Sequence, residues 1–166
     1  MRKIKVLIIT MGILLPALSQ AQGVNSYFGA NYEYGNVKVG SQHANMNGFK
    51  FQAGSELAWG NLKGSASSLK GDGADYDNYT LAIEKPFSIQ QSNFFVSPEG
   101  GVTYARYKDD HMKVSDLGLM LGASLGYNIN DHFQIVSNYN HSFGMRASQD
   151  NIQEDSLSAG INYRFN

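Results

Sequence analysis

Apolar and polar residues alternate with a period of two along most of this chain. The last stretch shows it most cleanly. Leu157, Ala159, Ile161, Tyr163 and Phe165 fall on one face, and Ser158, Gly160, Asn162 and Arg164 on the other. Side chains alternate across a strand but recur every three to four residues along a helix face, so the segment reads as a two-faced strand. The same split sets Leu117, Leu119, Leu121, Ala123, Leu125 and Tyr127 against Gly118, Met120, Gly122, Ser124 and Gly126. It returns at Phe133, Ile135, Tyr139 and Phe143 against Gln134, Asn138, Asn140 and Ser142. Earlier copies carry Phe28, Ala30, Tyr32, Tyr34; Phe49, Phe51, Ala53, Leu57; Tyr79, Leu81, Ile83; and Phe94, Val96, Val102, Tyr104, with a weaker one over 62–68. The pattern predicts eight strands.

Turn signals between them come in two alternating kinds. Short, neutral connections fall near Ala58-Trp59-Gly60 and Asn128-Ile129-Asn130-Asp131, with a somewhat longer one around Pro86. Longer, polar connections are expected over 35–47, 70–77, 108–115 and 144–155, and these hold Lys38, Lys70, Asp72, Asp75, Asp77, Lys108, Arg146, Glu154 and Asp155 among other charges. An up-and-down meander of this kind has one charged end and one quiet end.

The start of the chain reads differently. Arg2, Lys3 and Lys5 precede the apolar run from Val6 to Leu18, and small residues at Ser19 and Ala21 flank a cleavage position. The run is too short to span a bilayer, so residues 1–21 read as a secretory signal peptide cut after Ala21, a retained anchor being the alternative. The mature domain is then 22–166, and its net charge moves from −1 to −4 as three cations leave. That balance holds no basic excess for a phosphate backbone, which argues against nucleic-acid binding. The chain has no Cys, so disulfides and thiolate chemistry are excluded.

Which face points outward decides between a soluble barrel and a membrane barrel. A soluble barrel hides its apolar face and shows water a charged one. Here the polar face is mostly Gly, Ser, Thr and Asn, a poor solvent face but a suitable lining for a narrow lumen. Aromatics gather at strand ends: Tyr32, Tyr34, Tyr79 and Tyr104 near the charged connections, and Trp59, Phe133, Tyr163 and Phe165 near the quiet ones. Two girdles around an apolar band form the pattern of an outer-membrane barrel. Sheet edges cannot lie in lipid, so the strands must close. The expected fold is all-β, an eight-stranded antiparallel up-and-down transmembrane barrel, with ten strands as the alternative.

The Gly-rich alternation, the strand order and the closing Ala159-Gly160-Ile161-Asn162-Tyr163-Arg164-Phe165 resemble the small Ail/OmpX family of eight-stranded outer-membrane proteins, and more widely the opacity-protein-like group. The resemblance implies a monomer in the outer membrane of a Gram-negative bacterium, with extracellular loops, periplasmic termini, and lipid and lipopolysaccharide around it. It implies assembly by the barrel-assembly machinery, which reads a terminal aromatic; here Asn166 follows Phe165. It also implies surface interaction of the adhesion, invasion or serum-resistance type with a host or environmental ligand, and it carries over no binding residue.

An eight-stranded lumen is just wide enough to be filled by side chains. Its expected charges are Glu33, Glu56, Glu84 and Glu99 against Lys50, Lys63 and Arg164, and buried charges must pair or neutralise. This favours a self-satisfied plug over a small channel. His141-Ser142 resembles the His-x-Ser arrangement of lipid A deacylases, but adjacent strand residues point to opposite faces and cannot share a proton. His43 and His111 stand alone in polar connections, and His132 follows a quiet turn. The acidic stretch 70–77 lacks the closing Glu of a calcium loop. The chain therefore reads as a non-enzymatic barrel without cofactor or metal, a lipid A-modifying enzyme being the competing class.

Overall fold

The computed structural model describes residues 25–110, 113–147 and 150–165. In chain order the strands are β1 (Ser26–Val39), β2 (Gln42–Leu57), β3 (Gly60–Gly71), β4 (Ala74–Glu84), β5 (Phe87–Ser88), β6 (Phe94–Lys108), β7 (Lys113–Asn128), β8 (Phe133–Ala147) and β9 (Asp150–Phe165). Each long strand pairs antiparallel with its chain neighbours. β1 also pairs with β9, and β4 with β6, so the eight long strands close on themselves. The two-residue β5 continues β4 along the same flank of β6: the ladder runs to Glu84↔Glu99, breaks at Pro86, and resumes at Phe87↔Val96. Proline has no N–H to give the ladder, which explains the break.

Around the middle of the barrel the outward face is apolar. It comprises the alternate residues of 28–34, 49–57, 62–66, 79–83, 94–104, 117–127, 133–139 and 157–165, with Leu117, Leu121, Leu157 and Ile161 all more than half exposed. These stretches are the membrane-spanning segments. The inward residues at the same levels are polar and buried: Asn31, Glu33, Lys50, Gln52, Lys63, Thr80, Glu99, Thr103, Ser124, Asn138 and Ser158. Backbone groups are satisfied strand to strand, as lipid requires.

At the charged end the structure corrects the sequence reading. The long polar connections expected there are strand. β1 runs on to Val39 and β2 starts at Gln42; β3 ends at Gly71 and β4 starts at Ala74; β8 reaches Ala147 and β9 starts at Asp150. The β1–β2 and β3–β4 connections shrink to two residues each, while 109–112 still separate β6 from β7, and Asp72-Gly73 bends with positive φ at both positions, the mirror-image turn whose twist matches a hairpin. Above the apolar belt the two faces exchange character. Outward positions become polar (Asn36, Lys38, Asn45, Lys70, Asp75, Arg106), while inward positions become apolar. Val37, Val39, Met46, Leu69, Tyr76, Tyr107, Met145 and Ile152 form one buried cluster that seals this end of the lumen. A collar with an oil-filled core and a wet surface therefore stands on the membrane barrel. At Phe143-Gly144 a bulge in β8 shifts the register between Ser142 and Met145, and Gly144 takes a positive φ of 81°. The extra residue brings Met145 back to the inside as a member of the cluster.

The expected signal peptide with its cleavage after Ala21, together with His111 and Asn166, lies outside the described residues.

Candidate functional site

The inward residues build three tiers of polar contact. At the quiet end Arg164 Nη2 lies 3.1 Å from Glu56 Oε1, and Asn25 donates to the other Glu56 oxygen at 2.9 Å. This pair is partly exposed at the barrel mouth. Next in, Lys63 lies between two carboxylates, 3.3 Å from Glu84 and in contact with Glu99. Tyr27 donates to Glu84 at 2.7 Å and Asn61 at 3.1 Å, so four strands meet on one carboxylate and its cation. Further in, Lys50 faces Glu33 at 3.4 Å. Asn140 links the two inner tiers, its nitrogen turned to donate to Glu99 Oε1 and its oxygen to accept from Lys50. The seven charged residues singled out in the sequence therefore sit as Glu33–Lys50, Glu84–Lys63–Glu99 and Glu56–Arg164.

One charged residue of the lumen was missed. Glu154, placed by the sequence reading in an outer connection, points inward and is 1% exposed. Tyr76 and Asn78 on β4 both donate to its Oε2, at 2.9 and 2.6 Å. Thr103 and Thr80 in turn donate to Asn78, extending the cluster onto β6. The signal was the alternation of Ile152, Glu154 and Ser156 against Gln153 and Asp155, in phase with the last strand.

Two spaces lie in the lumen among the described residues. A cavity of about 160 Å³ opens at the short-turn end, lined by Glu56, Glu84, Ser124, Asn138 and Arg164 among others. A second space of about 10 Å³, the size of one water, lies beside Glu33, Lys50 and Asn140. Beyond it the apolar cluster fills the barrel.

On the outer surface the girdle aromatics meet across strands. Tyr32 packs edge-on against Phe49 with ring centroids 5.7 Å apart, and Tyr79 lies 6.5 Å from Tyr104. Tyr34 donates to Asn45 at 3.0 Å. At the opposite rim Tyr163 contacts Phe133 and Phe165, and His132 stacks on Tyr163. Trp59 is exposed in the turn between β2 and β3. His141 lies outside, 2.8 Å from Asp155, which also accepts the Tyr139 hydroxyl at 2.7 Å, whereas Ser142 is buried inside. His43 is on β2 and contacts Asn36. Among the described residues no group of three or more His, Cys, Asp or Glu could hold a metal ion.

A closed eight-stranded barrel with a lipid-facing belt and a polar lumen defines a class, the small outer-membrane barrels. Residues 6–165 match the family of the outer membrane protein beta-barrel domain, and the chain belongs to that family. This places the protein in the outer membrane of a Gram-negative bacterium. Neisserial surface protein A has a similar structure at 13% identity and a TM-score of 0.71, with 84% of this chain and 97% of that one covered. Ail of Yersinia pestis, solved with the heparin analogue sucrose octasulfate, follows at 20% identity and 0.62, covering 86% and 99%. The N-terminal barrel of OprF from Pseudomonas aeruginosa gives 13% and 0.57, covering 82% and 97%. No curated protein sequence matches the chain.

Proposed function

We propose that this barrel acts at the cell surface through the outer wall of its collar, in adhesion or serum resistance, with a contribution to outer-membrane integrity. The collar carries the reading: eight strand ends with a wet outer face are held rigid by the apolar cluster inside. A surface already ordered before contact avoids the entropy cost of fixing mobile loops on binding. The collar is oriented outward in this proposal and the short turns face the periplasm. Ail, solved with a sulfated sugar, supports an anionic or carbohydrate ligand class. The barrel is monomeric, set in lipid and lipopolysaccharide, and assembled by the barrel-assembly machinery through Phe165.

A channel is disfavoured by the apolar cluster that closes the lumen. A deacylase-like site at His141 and Ser142 is disfavoured by their opposite faces. The test compares cells displaying the intact protein with cells displaying a barrel whose four collar hairpins are each cut back to the belt. Both are checked for folding by heat-dependent gel mobility. Adherence to host matrix and survival in serum should fall with the collar. Equal values for both barrels would discard the surface reading and turn attention to lipid A composition.

A further inference from the structure

We propose that the lumen is a proton-binding site: Glu154, a buried carboxyl with no cation of its own, holds a proton beside the collar core. The argument starts from charge. Among the described residues four carboxylates are buried inside, Glu33, Glu84, Glu99 and Glu154, against two ammonium groups, Lys50 and Lys63. Lys63 serves Glu84 and Glu99, and Lys50 faces Glu33. Glu154 has no cation of its own. A buried carboxylate in that position is stabilised by a cation or by neutralisation.

The geometry favours neutralisation. Both donors to Glu154 reach Oε2, and its Oε1 has no hydrogen-bond partner among the described residues; Glu33 Oε2 is in the same condition. Oε1 lies 3.7 Å from where a Cβ on Gly35 would stand. Gly35 is the next inward position after Glu33 on β1, so this oxygen lies against the wall of the strand that carries Glu33. A proton on Oε1 removes the uncompensated buried charge of Glu154. Other groups around Glu154 do not replace it. Lys50 on β2 is engaged by Glu33, and Tyr76 on β4 already donates. Tyr107 on β6 belongs to the apolar cluster. The inward residues at this level on β3, β7 and β8 are Ser67 and Leu69, Met120, and Ser142 and Met145, all uncharged.

Glu154 lies above the belt, outside the membrane-spanning segments. Burial, and then the charge of Glu33, push its carboxyl up to about 7. The apolar cluster closes the collar end beside Glu154, and a water-sized space is lined by Glu33, Lys50 and two neighbours of Glu154, Asn78 and Ser156. Because the folded state holds this proton more tightly than the unfolded chain does, this group's contribution to stability is greatest below about pH 4.5, falls up to about pH 7, and is level above.

The test uses the full chain in lipid nanodiscs, with glutamate carboxyl carbons followed by NMR across a pH titration. One resonance should titrate near neutrality in the wild type and vanish in Glu154→Gln, which keeps the shape of the protonated acid. In Glu33→Gln its midpoint should drop by about one pH unit, a tenfold loss of proton affinity. Unfolding by urea should reproduce the acid-side gain in the wild type and lose it in Glu154→Gln. Ordinary titration of every carboxyl would overturn the proposal. So would a midpoint that moves with sodium or calcium concentration, which would put a metal ion where the proton is assigned.

Discussion

Tyr27 on β1 reaches across the lumen to Glu84 on β4, its hydroxyl 2.7 Å from Oε1, joining strands 57 residues apart in the chain. No ladder connects these strands, so the contact braces the barrel across its width. Tyr27→Phe removes one bond to a charged acceptor and leaves Asn61 and Lys63 in place. The expected cost is about 1.5–3 kcal/mol, measured as the shift in urea midpoint for reversible folding into lipid.

Lys63 is a stronger dependence. Lys63→Met strands two buried carboxylates, and breaking a buried pair in this way costs about 3–5 kcal/mol. Adding Glu99→Gln removes one of the uncompensated charges and should return a large part of that loss. A double-mutant cycle on urea unfolding checks it, and simple additivity of the two changes would show that Lys63 and Glu99 are not coupled.

The collar core can be weakened without touching the lipid face. Leu69 is fully buried in it, and Leu69→Ala should cost about 2–5 kcal/mol. The local consequence is sharper than the global one. Protease should cut the hairpins above the belt while the belt fragment stays protected, seen as a shortened band that still shows heat-dependent mobility.

The belt makes the opposite prediction for an outward residue. Leu121 is 58% exposed and faces lipid in the middle of β7. Leu121→Arg should destabilise by about 2–4 kcal/mol in a bilayer, the penalty of a cation near the midplane. A change of this sign at an exposed residue is absent from water-soluble barrels, where an outward Arg is close to neutral.

The eight strands and their facing were legible because the belt keeps one rule from end to end, apolar out and polar in. The collar was not, because it obeys the reverse rule. Val37 and Val39 against Lys38, or Tyr76 against Asp75 and Asp77, alternate as strictly as any belt segment. Their charges made the segments look like loops, and Asp72-Gly73, a strong two-residue hairpin signal, was read within a longer acidic connection. In the lumen, alternation shows which residues point inward but not which meet. Tyr27 and Glu84, or Gln52 and Asn162 at 2.8 Å, become neighbours only when the sheet closes with a particular stagger.

The exchange of faces above the belt also constrains how the tip can diverge. In a barrel with long loops, every loop position is open to substitution. Here Asn36, Lys38, Asn45, Lys70 and Asp75 can change without disturbing the buried core, while Val37, Val39, Met46, Leu69 and Tyr76 between them are tied to the cluster. Changes to the outer surface of the collar that leave its core intact therefore fall at every second codon of the hairpins and spare the intervening ones.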